Sequence, residues 1–344
     1  MAVDSTSRIA RSLLRWYDQY ARDLPWRVRP GSNVAPDPYR VWLSEVMLQQ
    51  TTVATVRERF DLFLTRWPAV AELAAADDSD VLAAWAGLGY YARARNLIAC
   101  ARTVAQAHGG TFPSSEEALR GLPGIGPYTA AAIAAFAFGQ RAVVVDGNVE
   151  RIVSRLFAID TPLPASRPEI YRKMDSITPD ARAGDFAQAM MDLATAICQP
   201  KRADCLICPL HDDCAGRGAA DPLRFPVKAA RKLRPVRHGE VWWVTRGDEV
   251  LLVRRPDKGL LGGMRGLPGS DWRDGPGDMP GKIGADVVHV FTHFELRLRI
   301  MTMTADEASA HQLTGEYWPI EQLDEAGLPT LYTKVADKMG VGLS

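Results

Sequence analysis

The stretch Leu122-Pro123-Gly124-Ile125-Gly126-Pro127-Tyr128-Thr129 leads into an alanine-rich run that ends at Phe138. Two glycines two positions apart permit a tight turn and a close approach of the backbone to a ligand, because glycine has no Cβ. The free N–H groups at the start of the following helix can then bind a phosphate, assisted by the helix dipole. The glycines alone also fit an ordinary interhelical turn, so both interpretations stand at this point.

Around this stretch, residues 1–215 predict an all-α domain. Apolar residues recur there with helical spacing in several alanine-rich runs, separated by glycine- and proline-containing turns; these runs are Val70–Trp85, Tyr91–His108, Thr129–Phe138, Val149–Phe157 and Phe186–Ile197. Residues 216–237 carry seven basic side chains and one acidic one, which indicates a basic linker that is either solvated or in contact with phosphate.

Residues 238–344 predict a smaller α+β domain. Short runs rich in β-forming residues are separated by loop residues; they are Val241–Thr245, Val250–Arg254, Val287–Phe291 and Leu296–Met303. The glycine- and proline-rich range 259–278 predicts a long loop.

The composition is that of a globular protein with two domains. The 344 residues exceed one typical core, and 47% of them are hydrophobic. Equal numbers of basic and acidic residues, 41 of each, exclude nothing about nucleic acids, because binding depends on local patches. The sequence has no apolar run near the roughly 18 residues that span a bilayer, and its start lacks the features of a signal peptide. We therefore expect a cytosolic protein without membrane contact. We also expect a monomer in a bacterial cell.

Four cysteines follow the spacing C-x6-C-x2-C-x5-C: Cys198, Cys205, Cys208 and Cys214. Cytosolic thiols stay reduced, so such a cluster indicates a metal centre and not disulfides. Zinc and a four-iron cluster both accept four thiolates, and the spacing alone leaves the choice open. The fifth cysteine, Cys100, lies in an alanine-rich helix and is expected in the core.

Two acidic residues are candidates for acid–base chemistry. Glu45 lies in an apolar, otherwise uncharged stretch, where it is either half-exposed on a helix or desolvated. In an apolar pocket its pKa would rise, as a general acid requires. Asp146 follows three valines and precedes Gly147 and Asn148, where an aspartate also suits a helix N-cap.

Several of these segments resemble the endonuclease III superfamily of helix–hairpin–helix DNA glycosylases, and in particular the MutY-type adenine DNA glycosylases. The resemblance covers residues 8 to 338 and is carried by the hairpin at 122–133, the cysteine spacing, WLSEVMLQQT at 42–51, VDGNV at 145–149, LPWR at 24–27 and GLGYY at 87–91. It implies a 4Fe–4S cluster in the loop 198–214, with Lys201 and Arg202 of that loop facing DNA phosphate.

The resemblance also assigns roles to site residues. It implies that Glu45 protonates a flipped adenine, that Asp146 stabilises the sugar cation or bonds to it transiently, and that Asn148 orients the site. Bifunctional relatives have a lysine at the position of Tyr128, whose amine forms a Schiff base. Tyr128 cannot do so, which predicts a monofunctional enzyme.

The DNA-binding residues implied by the same likeness are Gly124 and Gly126 of the hairpin, Arg27, and two candidates for the wedge that fills the gap left by the flipped base, Gln50 and Tyr90. Without the resemblance, Tyr90 would be expected in the core.

The C-terminal domain resembles a Nudix-like fold through residues 239–269, but it lacks the glutamate-rich helix that would hold magnesium. This implies a binding module without pyrophosphatase activity. Phe291, Thr292 and His293 resemble the Phe-Ser-His loop that reads 8-oxoguanine, with threonine in place of serine.

The sequence therefore predicts an adenine DNA glycosylase of base excision repair, acting on double-stranded DNA that contains adenine opposite 8-oxoguanine or guanine. One alternative is an endonuclease-III-like glycosylase/lyase for oxidised pyrimidines, which Tyr128 and the second domain oppose. The other is a non-catalytic DNA-binding iron–sulfur protein, which the presence of both Glu45 and Asp146 opposes.

Overall fold

The computed structural model describes residues 5–219, 221–229, 234–256, 260–275, 283–291 and 293–342. The chain forms two compact units that divide between residues 230 and 231. The first unit is helical and the second contains a mixed sheet, as the sequence predicts. No helix in these described ranges is long and apolar enough to cross a membrane.

The first unit is built from short and medium helices. They are α1 (Ser5–Tyr20), α2 (Pro38–Met47), α3 (Val53–Arg66), α4 (Val70–Ala75), α5 (Asp78–Ala84), α6 (Ala92–Ala107), α7 (Glu116–Arg120), α8 (Pro127–Phe138), α9 (Gly147–Leu156), α10 (Arg167–Ile177), α11 (Ala183–Ala196) and α12 (Ala215–Gly218), with 3-10 helices at Cys205–Ile207 and Pro222–Arg224.

The alanine-rich run from residue 70 to 85 forms two helices and not one. Asp77 adopts an extended conformation between α4 and α5 and is the N-cap residue of α5. Asp78 and Asp80 in the first turn of α5 are favoured by the helix dipole, which explains why a new helix begins there.

The glycine-rich stretch forms the turn of a helix–hairpin–helix between α7 and α8. Gly124 has a positive φ of 74°, and a Cβ there would lie 2.7 Å from the Cβ of Asn96. Gly126 is the N-cap residue of α8, and Pro127 occupies the first position of that helix, where its missing N–H costs nothing. The turn therefore requires glycine at residue 124 for both its backbone angle and its packing.

Helix α8 is the centre of the first unit. Its residues from Thr129 to Phe136 are all buried, as expected of a helix that is apolar on every side. It packs against α2, α7 and α11. One core surrounds α2 and α8 and includes Trp42 and Trp85, and a second core surrounds α1 and α9 to α11. Helix α11 contacts helices of both cores and thereby joins them.

The second unit contains β1 (Val236–Arg246), β2 (Glu249–Arg254), β3 (Arg265–Gly266), β4 (Arg273–Asp274), β5 (Ile283–Val290), β6 (Glu295–Thr304) and β7 (Glu316–Pro319), with helices α13 (Ala305–Ala310) and α14 (Thr330–Lys338) and a 3-10 helix at Ile320–Ala326. The sheet order is β3-β2-β1-β6-β5, with β4 paired to β1 and β7 to β2. Strands β1 and β6 are parallel, whereas β1 with β2 and β5 with β6 are antiparallel.

Two predicted irregular segments contain regular structure. The range 259–278, predicted as a loop, includes the two-residue strands β3 and β4, which pair with β2 and β1, respectively. The range 216–237, predicted as a linker, includes the 3-10 helix Pro222–Arg224 and the start of β1. In that range, Phe225 is buried and its carbonyl accepts a hydrogen bond from Arg155 Nε at 3.1 Å.

Candidate active site

One cavity of about 540 Å³ in the first unit is lined by six of the sequence-predicted site residues: Arg27, Glu45, Gln50, Tyr128, Asp146 and Asn148. They come from the segment before α2, from α2 and the turn after it, from α8, and from the start of α9. The volume suits a small organic group, because ligand pockets usually measure roughly 300–1,000 Å³.

Glu45 is desolvated and not half-exposed. It lies inside α2 and is 7% exposed. The net pKa of this carboxyl is raised to about 7, and burial is the largest cause. A hydrogen bond from Tyr128 and the charge of Arg27 lower the pKa, whereas the charge of Asp146 raises it. A carboxyl with this pKa is partly protonated at neutral pH and can act as an acid.

Asp146 is the N-cap residue of α9 and also a residue of the cavity wall. It caps α9 by accepting a hydrogen bond from the Val149 N–H at 2.7 Å, and it lines the cavity. Its second carboxylate oxygen accepts from Asn148 Nδ2 at 3.0 Å. These two hydrogen bonds fix the carboxylate at the cavity wall, on a helix terminus whose position is set by the second core.

Asn148 is itself held by a buried arginine. Arg151 Nη2 donates to Asn148 Oδ1 at 3.2 Å and to the Ala194 carbonyl at 2.9 Å. Arg151 Nε donates to the carbonyl of Cys198 at 3.1 Å. Continuous hydrogen bonds therefore connect Asp146 with α11 and with the first residue of the cysteine quartet.

The sequence prediction missed the contribution of α11 to the cavity. Gln188, Met191 and Thr195 line it, at the three- and four-residue spacings of one helix face. Gln188 Oε1 accepts a hydrogen bond from the buried Tyr17 hydroxyl at 2.9 Å. The polar residues at positions 188, 192 and 195 in an otherwise apolar run could have indicated this face.

Gln50 and Tyr90 lie on two turns that are tied together. Both residues have positive φ, 59° and 48°, an uncommon conformation for residues other than glycine. Tyr90 is 66% exposed, so it is not a core residue. Arg93 joins the turns, because its Nη2 donates to Thr51 Oγ1 at 3.2 Å and to the Leu88 carbonyl at 2.6 Å.

The four cysteines of the quartet line one small cavity of about 30 Å³. The buried Arg155 donates from Nη1 to Cys198 Sγ at 3.1 Å, and burial raises the pKa of the Cys208 thiol to about 12. Among the described residues, no three His, Cys, Asp or Glu side chains are placed to hold one metal ion. Four thiols around a common space, with a guanidinium directed at one sulfur, fit an anionic thiolate-bound group.

Lys201 and Arg202 are both exposed in the loop between the first two cysteines. Arg202 Nε pairs with Asp204 at 3.1 Å. Because it is exposed, the Arg202 guanidinium can still contact an anion from solvent.

The predicted reader loop of the second unit is only partly described. Phe291 is half-buried and stacks on Trp272 with ring centroids 5.6 Å apart, and it also contacts Phe294. His293 is exposed, and Thr292 lies outside the described residues. An aromatic cluster thus anchors one end of the loop.

Two family models match the chain. The model described as HhH-GPD superfamily base excision DNA repair protein matches residues 43–179, and the model described as NUDIX domain matches residues 240–338.

Curated relatives of this chain are named adenine DNA glycosylase. The protein from Rattus norvegicus is 34% identical over 97% of this chain and 78% of its own length. The protein from Mycolicibacterium smegmatis is 40% identical over 61% of this chain and 70% of its own length. The protein from Homo sapiens is 35% identical over 84% of this chain, which spans 65% of that relative's length.

Solved structures match the helical part. A thermostable thymine-DNA glycosylase superposes with a TM-score of 0.56 at 27% identity and covers 62% of this chain and 97% of its own. An endonuclease III–DNA complex superposes with a TM-score of 0.52 at 21% identity and covers 63% of this chain and 98% of its own. This likeness supports the helical fold of the first unit.

The hydrogen bond between Tyr128 and Glu45 leads to a titration prediction. Tyr128→Phe removes a donor that stabilises the ionised carboxylate, so the pKa of Glu45 should rise above about 7. The infrared carbonyl band of the protonated carboxyl, assigned by its loss in Glu45→Gln, should persist to higher pH in Tyr128→Phe than in the unmodified protein. A band that titrates at unchanged pH would show that the hydroxyl does not act on Glu45.

Proposed function

Because the chain belongs to the adenine DNA glycosylases of the HhH-GPD superfamily, we propose that it acts as a monomer on double-stranded DNA and releases adenine opposite 8-oxoguanine or guanine. The observation that carries this proposal is the cavity that holds Glu45 and Asp146 together, with one carboxyl desolvated and the other fixed by hydrogen bonds.

The bond to be broken joins the sugar to the base. Adenine is a poor leaving group as an anion, and its departure leaves an oxocarbenium-like sugar. Glu45 is the residue that transfers a proton to a ring nitrogen of the departing base, since its pKa of about 7 leaves protonated carboxyl available at neutral pH.

Asp146 acts on the sugar. Its carboxylate either stabilises the developing cation through its charge or bonds to it transiently. Water then adds at the anomeric carbon, displaces the carboxylate where that bond has formed, and returns a proton to Glu45, which is ionised after the base has left. Asn148 and the Val149 N–H keep the carboxylate in place during this step.

Tyr128 supports a monofunctional enzyme. Its hydroxyl is hydrogen-bonded to Glu45 and cannot form a Schiff base with the sugar, so the strand should stay intact after base release. The lyase alternative has no amine at this position of the site.

DNA binding is assigned to three exposed features of the first unit. The hairpin with Gly124 and Gly126 and the loop with Lys201 and Arg202 would contact phosphates, whereas Gln50 and Tyr90 would fill the gap left by the extruded adenine. The two wedge residues are supported by their exposure and by the arginine that joins their turns.

The carboxyl pair leads to a prediction on catalysis. Glu45→Gln cannot supply the proton and Asp146→Asn cannot stabilise the cation, so each variant should lower single-turnover adenine release by at least about a thousandfold. Binding to the mispaired duplex should persist, because neither side chain carries the phosphate contacts. Asp185→Asn, a substitution at a half-buried residue of α11 that does not line the cavity, is the matched control. Near-normal release by either variant would remove that residue from the mechanism.

We also propose that the four cysteines hold a 4Fe–4S cluster, with Arg155 donating to the Cys198 sulfur. Such a cluster, when bound, fixes the fold of the loop 198–214 and takes no part in bond cleavage. The exposed Lys201 and Arg202 of that loop would then face the phosphates of bound DNA.

The cluster proposal predicts about four irons and equimolar acid-labile sulfide per chain. Cys208→Ser should lower both and destabilise the first unit, whereas Cys100→Ala should leave both unchanged, because Cys100 lies in the other core. Stoichiometric zinc without sulfide in the purified protein would contradict the proposal.

Recognition of 8-oxoguanine is assigned to the loop of Phe291, Thr292 and His293. The exposed His293 beside an anchored Phe291 supports this assignment. His293→Ala should reduce the preference for 8-oxoguanine over guanine by about five- to tenfold, the worth of one hydrogen bond. His311→Ala, which removes another exposed histidine of the same unit, should not. An unchanged preference in His293→Ala would reject the reader role.

A further inference from the structure

Asp192 of α11 is a fully buried carboxylate that none of the steps above uses. Arg27 Nη1 donates to both of its oxygens, at 2.9 and 2.8 Å. The backbone N–H of Arg22 donates to it at 3.0 Å, and Arg22 Nη1 lies 3.7 Å away. Both arginine side chains line the cavity that holds Glu45.

Burial of the Asp192 carboxylate destabilises the fold unless all of its partners are present. A buried charge requires partners, and removing one partner leaves the other uncompensated in a medium of low polarity. The hydrogen bonds described for the Arg27 side chain leave from Nη1 alone. Its remaining N–H groups are therefore free to donate to a nucleotide in the cavity.

The charges of Arg27 and Asp192 shift the pKa of a neighbouring group in opposite directions. The charge of Arg27 lowers the pKa of Tyr17, whereas the charge of Asp192 raises it. Arg27 likewise lowers the pKa of Glu45, which is also faced by Tyr128 of α8 and Asp146 at the start of α9. Without a counter-ion, the full field of Arg27 would favour the ionised form of Glu45.

We propose that Asp192 is a positioning residue whose carboxylate fixes Arg27 against the cavity and offsets the charge that Arg27 would otherwise impose on Glu45. This inference rests on the proposed function, since it concerns the acid of that reaction. Asp192 does not itself contact the reacting atoms and acts through Arg27.

The test is Asp192→Asn, with single-turnover adenine release measured from about pH 5 to about pH 9. Glu45 acts in its protonated form, so release falls as pH rises through its pKa. In the variant this fall should occur about one pH unit lower, which lowers release about tenfold above neutral pH and only slightly at acid pH.

A double-mutant cycle separates this role from packing. In the Arg27→Gln background, Asp192→Asn should no longer move the pH profile, because a fully buried carboxylate that has lost its main partner is neutralised and the substitution then removes no charge. Asp185→Asn is the matched control: it lies on the same helix, its carboxylate pairs with the exposed Arg182 at 2.8 Å, and it should keep the normal profile.

Two results would overturn the proposal. One is an equal loss of release at every pH, and the other is the same effect of Asp192→Asn with and without Arg27. If Asp192→Asn does not fold, Arg27→Gln tests the premise of the proposal: loss of the Arg27 charge should move the fall in release to higher pH, and an unmoved profile rejects the proposal. If the unmodified protein released no adenine, the proposed function would fail, and the infrared titration of Glu45 in the same variants would still test Asp192.

Discussion

Burial of one carboxyl determines what this molecule can do. Glu45 is held inside α2, away from water, and its pKa rises to about 7 because the cavity cannot solvate the charge as water does. Neighbouring polar groups of the site shift the pKa of Glu45 in both directions. Tyr128 and Arg27 favour the ionised form of the carboxyl, Asp146 opposes it, and Asp192 limits the effect of Arg27 through a buried ion pair.

The fold provides this condition by placing the cavity where two cores meet. The apolar helix α8 belongs to one core and α9 to the other, while α11 contacts both. Glu45 and Asp146 are thus carried by elements of different cores. Arg151 donates hydrogen bonds to Asn148 and to the Cys198 carbonyl. These hydrogen bonds connect the cavity with the loop of the cysteine quartet.

The local parts of this structure follow from the sequence. Gly124 and Gly126 predict the turn before α8, and the structure shows why glycine is required at residue 124. The order of an all-α unit and an α+β unit is confirmed, as is membership in the adenine DNA glycosylases. These features depend on patterns within a few neighbouring residues.

Long-range contacts could not be predicted in the same way. Asp192 meets Arg27 across 165 residues, and no local pattern indicates that pair. Strand β4 consists of two residues that pair with Arg237 and His238 of β1, much earlier in the chain. The stacking of Trp272 on Phe291 likewise arises from tertiary packing and not from either segment alone.

The most direct measurement of the central claim is the amount of free adenine released in one turnover from a duplex with adenine opposite 8-oxoguanine, followed by chromatography as the pH is varied. The account predicts stoichiometric adenine from an uncut strand, with a rate constant that falls as pH rises through about 7. No free adenine at any pH, or release that is independent of pH through this range, would contradict it.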